Sequence, residues 1–207
     1  MNQKANNLEL SPVWSGEFGD EYTERQIDTV ASNMHLFRQV FGDYKLESVI
    51  EYGAGSGMNL EALHKLMPQC NLTGVEINAV ACKAMREKPY ITVLETSALY
   101  CSKTALIMRK RELALTKGFL IHVPPDDLPT MYREIYNGSN HYILLCEYYN
   151  PKPVEITYRG YDGLLWKRDF AGEMLDMFSD LELVKYGFVY HRDEHPLDDI
   201  TWFLLRK

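Results

Sequence analysis

The chain predicts an open α/β fold: a doubly wound, mostly parallel sheet finished by an antiparallel hairpin. Three observations predict it. Strand-like and helix-like segments alternate from Val49 to Glu147, the rhythm of βαβ units. A turn with alternate glycines, Gly53, Gly55 and Gly57, follows the first apolar run, where sheets of this kind receive a ligand. Near the C-terminus two further runs, Leu181 to Tyr190 and Thr201 to Arg206, flank a short polar loop, the pattern of adjacent antiparallel strands.

The elements follow in order. Met1 to Leu10 is a polar tail. Glu21 to Phe41 reads as one helix, because Ile27, Val30, Met34, Phe37, Val40 and Phe41 recur at helical spacing, and Gly42-Asp43 ends it. Strands at 49–52, 72–76 and 91–94 alternate with helices at 58–67 and 78–87, and Pro68 and Pro89 mark the helix ends. Leu113 to Thr116 is the fourth strand, and Tyr142 to Glu147 is the fifth. Between them Pro125 to Tyr136 is a helix with proline near its start. The segment from Tyr100 to Arg111, with its basic Arg109-Lys110-Arg111 run, reads as a solvated helix end. Internal repeats and low-complexity segments are absent from the sequence.

The glycine spacing narrows the ligand. A dinucleotide fingerprint, G-x-G-x-x-G, needs a third glycine inside the helix. Counting from Gly53 or from Gly55, that position holds Met58 or Leu60. The pattern present is E-x-G-x-G-x-G, with Glu51 before the first glycine. An acid there repels a pyrophosphate and suits a ligand with a cationic amino-acid end. A second acid, Glu76, closes the second strand and can accept from both hydroxyls of a ribose. S-adenosylmethionine (SAM) meets both demands, with its ammonium, sulfonium and ribose and no phosphate. A glycine-rich turn alone is equally a structural β-to-α connection; the two acids are what point to a ligand.

Composition fits a cytoplasmic, soluble protein. With 207 residues the chain makes one domain, able to bury about 70% of its unfolded surface. Within it, 1–47 forms a tail and lid helix, 48–151 the cofactor-binding core, and 152–207 an acceptor-side segment with the hairpin. A net charge of −7, from 22 basic and 29 acidic residues, gives no basic face for nucleic acid. Cys70, Cys82, Cys101 and Cys146 show no metal-ligand spacing and read as buried thiols of a reducing compartment. No apolar signal core and no membrane-spanning run is found.

From about Ser48 to Pro151 the sequence resembles the class I, Rossmann-like SAM-dependent methyltransferases. Over nearly its whole length it also resembles the small group of methyltransferases associated with pseudaminic acid biosynthesis. Four segments carry that finer likeness: Trp14 to Arg25 (WSGEFGDEYTER), Thr116 to His122 (TKGFLIH), Leu165 to Glu173 (LWKRDFAGE) and Tyr190 to His195 (YHRDEH). The resemblance implies a bacterial enzyme with a mostly parallel seven-stranded sheet, an N-terminal helical lid and a small polar acceptor. A sugar or nonulosonic-acid oxygen or nitrogen fits best. The alternatives are a catalytically silent SAM-binding partner protein in a sugar-modification pathway, a nucleotide-sugar or NAD enzyme, and a methyltransferase acting on a glycosylated surface protein.

Carried over by position, the resemblance places Glu51, Gly53, Ala54, Gly55, Gly57 and Asn59 at the methionine end of the cofactor. It gives Glu76 the ribose and Ile77 the adenine face, and sets Ser97 and Ala98 at the adenine edge. Many class I enzymes have an acid at that edge; here Ser97 or a backbone carbonyl accepts from the amino group, unless Glu95 turns inward. Thr116 and Lys117 begin the loop facing the sulfonium, and His122 is the candidate general base, since neutral imidazole takes a proton near pH 7. A structural histidine anchoring the loop is the equal alternative. Methyl transfer from a sulfonium needs little acid–base help, so a base is not obligatory. The acceptor side would use Trp14, Tyr22, Arg25, Arg159, Tyr161, Trp166, Lys167, Arg168 and His191, combining rings that stack on sugars with cations that bind acids. Tyr148-Tyr149-Asn150-Pro151 departs from the N-P-P-Y motif of amino-methylating DNA enzymes: it lacks the second proline and follows the wrong strand. His191 and His195 are four apart, but off a helix and without a third ligand, so no metal is expected.

Overall fold

The computed structural model describes residues 10–103 and 109–207. The polar leading segment up to residue 9, and residues 104–108 of the stretch before the fourth strand, lie outside it. A seven-stranded sheet runs in the order β3-β2-β1-β4-β5-β9-β8. Its strands are β1 (Ser48–Tyr52), β2 (Asn71–Glu76), β3 (Ile91–Glu95), β4 (Arg111–Lys117), β5 (Ser139–Glu147), β8 (Glu182–Val189) and β9 (Ile200–Arg206). The first five pair in parallel, and β9 runs antiparallel to both β5 and β8. The chain order reverses at β1 and β4, the crevice where open α/β sheets bind ligands.

Two helical layers cover the sheet. On one face α3 (Val30–Phe41), α4 (Met58–Leu66) and α5 (Ala79–Arg86) bury Phe37, Val40, Leu60, Leu63 and Met85 against Val49, Leu113, Leu115 and Leu144. On the other, α6 (Leu128–Gly138) and α7 (Phe170–Met177) bury Met131, Ile135, Phe170 and Met174 against Ile50, Ala114, Ile143 and Leu145. The parallel strands are apolar on both faces because both faces are covered. A two-stranded hairpin, β6 (Val154–Glu155) with β7 (Trp166–Lys167), stands apart from the main sheet.

The long N-terminal helix expected from periodicity is broken. Glu17–Glu24 forms α2, after a short α1 (Leu10–Ser15), and α3 begins only at Val30. The break has a local cause. The Asp28 carboxylate accepts the Val30 N–H at 2.9 Å and starts a new helix, while Gln26 reaches out to the Ser56 hydroxyl at 2.7 Å. Ile27, counted as a core position, is 81% exposed. The rest of the stripe holds: Val30, Phe37, Val40 and Phe41 are buried and Met34 packs against them.

Smaller shifts occur elsewhere. Arg111, read as a helix end, opens β4 instead, and its guanidinium reaches Thr73 Oγ1 at 3.2 Å. The helix expected from Pro125 starts at Leu128, after a turn in which Leu128 N–H bonds Pro124 O at 3.2 Å. Sequence periodicity gave no sign of α7, whose start is capped by Asp169 accepting the Gly172 N–H at 2.9 Å. All four cysteines are buried, and no disulfide forms among the described residues. No helix among the described residues is long and apolar enough to cross a membrane.

One contact ties the two layers' strands to α6. Tyr52, fully buried, donates its hydroxyl to Glu134 O at 2.9 Å, and a Cβ at Gly138 would sit 2.1 Å from the Tyr52 hydroxyl oxygen. Gly138→Ala is therefore expected to lower unfolding free energy by about 1–3 kcal/mol through overpacking. In urea titrations Tyr52→Phe should recover part of that loss in the double variant; strict additivity of the two changes would refute the contact.

Candidate active site

The site assembles at the carboxyl ends of β1, β2, β4 and β5. After β1 the chain turns through Gly53, Gly55 and Gly57 at φ of 69°, 54° and 81°, a region that disfavours any side chain. Close approach adds a second demand at Gly53, where a Cβ would lie 2.2 Å from the Phe119 ring. The loop is pinned to β2, with Gly53 and Ala54 N–H groups donating to Val75 O at 2.9 and 3.0 Å.

Glu76 binds this loop directly. One carboxylate oxygen accepts from Ile77 and Asn78 N–H, both at 2.8 Å, and the other accepts from Gly55 N–H at 2.8 Å. Ile77 is half-buried beside it. Glu51 differs. It is fully buried, takes one bond from Asn59 Nδ2 at 2.5 Å, and its second oxygen has no hydrogen-bond partner among the described residues. Burial pushes its pKa up to about 8, against the Asn59 bond and the nearby Lys117 charge. Lys117, at the end of β4, is shifted the opposite way: desolvation of its amine lowers its pKa, although Cys146, Glu51 and Glu147 lie within electrostatic reach. Thr116 is buried in β4 opposite Tyr52 of β1.

At the far edge, Ser97 is half-buried and Ala98 buried, at the start of a short 3₁₀ turn. Glu95 points away, pairing with Arg86 at 2.7 Å.

His122 ends the turn after β4. Its Nδ1–H donates to Leu164 O at 2.6 Å, leaving Nε2 as the unprotonated nitrogen. Desolvation pushes its pKa down to about 4, more than the Leu164 bond raises it. With that shift the ring is neutral across the physiological range. Trp14 packs on it at 4.6 Å and Tyr158 at 5.3 Å between centroids. Phe18 extends this cluster to Tyr161 at 6.0 Å, and Trp166 is buried beneath with Leu164. Tyr22 sits edge-on to Trp14 at 5.6 Å, within electrostatic reach of both Glu76 and Tyr158, so α1 and α2 roof the crevice.

Several expected acceptor cations have protein partners of their own. Arg25 is held by Glu21 at 2.9 Å on the exposed side of α2, and Arg168 by Glu173 at 2.8 Å. His191, also exposed, bonds Asp199 across its loop at 2.9 Å, and His195 stacks on His35 at 4.5 Å, so the two histidines do not converge. Lys167 lies over the Tyr148 ring at 5.1 Å and Arg159 over Tyr158 at 5.6 Å.

Four contributors were missed in the sequence. Asn78 caps α5 through Ala81 N–H at 2.9 Å while its amide donates to Trp14 O and Asp20 at 3.1 and 2.7 Å, latching the roof to the end of β2. Its position, an amide just before a helix, was a readable cap signal. Glu147 ends β5 as Glu76 ends β2, and its carboxylate accepts from the turn that carries His122. Gln26 overlies Gly55 and Ser56, and Tyr148 donates to Asp198; neither had a local pattern to reveal it.

No family model matches this chain, and no curated protein does. Solved structures do. Magnesium protoporphyrin IX methyltransferase from Synechocystis PCC 6803, with bound SAH, superposes with a TM-score of 0.68 at 13% identity, over 96% of this chain and 97% of that one. 1,6-Didemethyltoxoflavin-N1-methyltransferase from Burkholderia thailandensis, bound to 1,6-didemethyltoxoflavin and S-adenosylhomocysteine (SAH), gives 0.67 at 15%, over 94% and 84%. The plantazolicin methyltransferase BpumL in complex with SAH gives 0.63 at 12%, over 96% and 93%. The fold is the Rossmann-like methyltransferase fold.

The Glu51 shift has a measurable sign. A carboxyl whose folded pKa exceeds its unfolded value near 4.5 stabilises the fold fully below that value, and the contribution is lost as pH rises through about 8. Thermal stability of the ligand-free protein should therefore fall from pH 5 to 8 more steeply than that of Glu51→Gln, by at most about 1.4 kcal/mol per pH unit. Parallel curves would show that Glu51 is not desolvated.

Proposed function

We propose that the protein is a SAM-dependent methyltransferase acting on a small polar acceptor, with a sugar or nonulosonic-acid oxygen or nitrogen, as in the pseudaminic acid pathway, as the favoured target. The observation that carries the reading is the orphan oxygen of Glu51, buried beside a glycine loop whose other flank is Glu76. A buried acceptor without a donor costs about 1–3 kcal/mol, and an ammonium-bearing ligand supplies the donor. The neighbours crystallised with SAM or SAH share the fold that presents these residues.

The residues fit the cofactor at each end. Glu51 takes the ammonium and Lys117 the carboxylate of an amino-acid group. Glu76 takes the ribose hydroxyls, and Ile77, Ser97 and Ala98 border the adenine. A carboxylate has about four lone-pair directions, and three N–H groups already use Glu76. The Gly55 bond is the one that yields to a diol, because Ile77 and Asn78 are fixed by the start of α5.

When bound, SAM supplies an electrophilic methyl on a neutral leaving group. The protein's work is alignment, which is worth on the order of 7–11 kcal/mol. Trp14, Phe18 and Tyr22 exclude water, and Tyr158, Tyr161 and Trp166 offer rings for an acceptor's apolar face. Lys167 and Arg159, which form no ion pair among the described residues, remain for an acceptor's acid group. His122 orients this side through Leu164. Four buried cysteines that form no disulfide among the described residues suit a cytoplasmic setting.

Isothermal titration with SAH, with NAD as control, tests the reading. Micromolar SAH binding without NAD binding is expected, and Glu76→Ala should weaken it by about 1.5–3 kcal/mol. Because the ammonium favours ionised Glu51, affinity should rise from pH 6 to 8, by up to about tenfold per unit, and Glu51→Gln should remove that rise. Absence of SAH binding would overturn the cofactor, whereas SAH binding with no turnover on any sugar would favour a silent binding partner.

A further inference from the structure

Glu147 has no part in the reading above, yet it is among the few buried charged groups of the fold, 4% exposed at the carboxyl end of β5. Its carboxylate accepts three successive backbone N–H groups: Phe119 at 3.3 Å, Leu120 at 3.1 Å and Ile121 at 3.4 Å. These are the donors of the short turn Leu120–His122 that otherwise have no strand or helix partner. The turn carries two side chains of consequence. Phe119 lies against the glycine loop at Gly53, and His122 bonds Leu164 at the start of the β7 side of the hairpin and packs on Trp14 of the roof. One carboxylate thus stands behind the contacts that join glycine loop, roof and hairpin.

We propose that Glu147 is the positioning residue of this turn, setting the placement of Phe119 and His122 through the three N–H groups it accepts. The proposal goes beyond the methyltransferase reading and depends on it only for calling that side the acceptor side.

The carboxylate's charge state gives the proposal a signature. Burial pushes the Glu147 pKa up to about 7, against the bonds from the turn. Ionised, it holds the turn with charge-assisted bonds, roughly twice as strong as those to a neutral acid. The turn is then firm above pH 7 and loosens below it. Around it, Lys117 of β4 is lowered from an ammonium's usual value, Cys146 of β5 and Tyr132 of α6 are raised above theirs, His122 is pushed down to about 4, and Glu51 of β1, which shares Lys117 and Cys146 with it, is pushed up to about 8, so the Glu147→Gln comparison is what assigns a transition near pH 7.

Amide exchange and fluorescence read this without any ligand. In Glu147→Gln, the Leu120 and Ile121 amides should lose at least tenfold in protection, while those of β1 and α4 stay within twofold. The Trp14 signal, taken as the difference between each protein and its Trp14→Phe partner, should titrate near pH 7 in the wild type and be flat in Glu147→Gln. Should that variant not fold, wild-type exchange corrected for intrinsic pH dependence should still lose protection at residues 119–121 below pH 7. Unchanged protection, or a titration that persists in Glu147→Gln, overturns the proposal. The SAH titration decides the methyltransferase reading separately, so failure of one is distinct from failure of the other.

Discussion

The site depends on one constraint: carboxylates placed where parallel strands end must find donors, and in this fold those donors are loop N–H groups. Glu76 binds Gly55, Ile77 and Asn78, and Glu147 binds Phe119, Leu120 and Ile121. Each acid thereby shapes the connection beside it. The glycines are a consequence. A side chain at Gly53 would strike Phe119, and Phe119 is placed by Glu147. Glu51 is the exception, with an oxygen that no N–H among the described residues reaches. A desolvated carboxyl that the fold leaves half-satisfied is costly, and such cost is characteristic of positions shaped for a ligand rather than for stability.

Most of the sheet was legible because its signals are local. Apolar runs ending in acids, glycines between strand and helix, and prolines after helices all act over a few residues. What escaped depends on distant partners. Periodicity continued one helix through Arg25 to Thr29, since Ile27 fits the stripe; Asp28 and the pull of Gln26 toward Ser56 decided otherwise. In the site, Glu51 and Glu76 were readable by position. Arg25 and Arg168, expected as acceptor cations, pair with Glu21 and Glu173, which sit one helical turn or a cap away, and a sequence motif does not say which charges already have partners.

The break between α2 and α3 is itself part of the architecture. A continuous helix would carry Trp14, Phe18 and Tyr22 along the α3 axis, away from the crevice. The bend lets α1 and α2 fold across it, and Asn78 fixes them there by donating to Trp14 O and Asp20. Gly19 permits the approach, since a Cβ would lie 1.9 Å from Trp14 O. The roof is therefore joined to the residue two places after Glu76, so a ligand that moves the end of β2 also moves Trp14.

That linkage bears on how proton removal is divided. His122 lies under Trp14 with its Nδ1–H committed and its pKa near 4, so it holds geometry better than it takes protons. On the proposed reading, with a sulfonium donor, this is sufficient: the leaving group departs neutral, and the acceptor's proton can be lost after the methyl has moved. The burden falls on alignment, where an ångström's error is costly. A site that works by alignment gains more from an acid fixing a turn, as Glu147 does, than from a strong base at its tip.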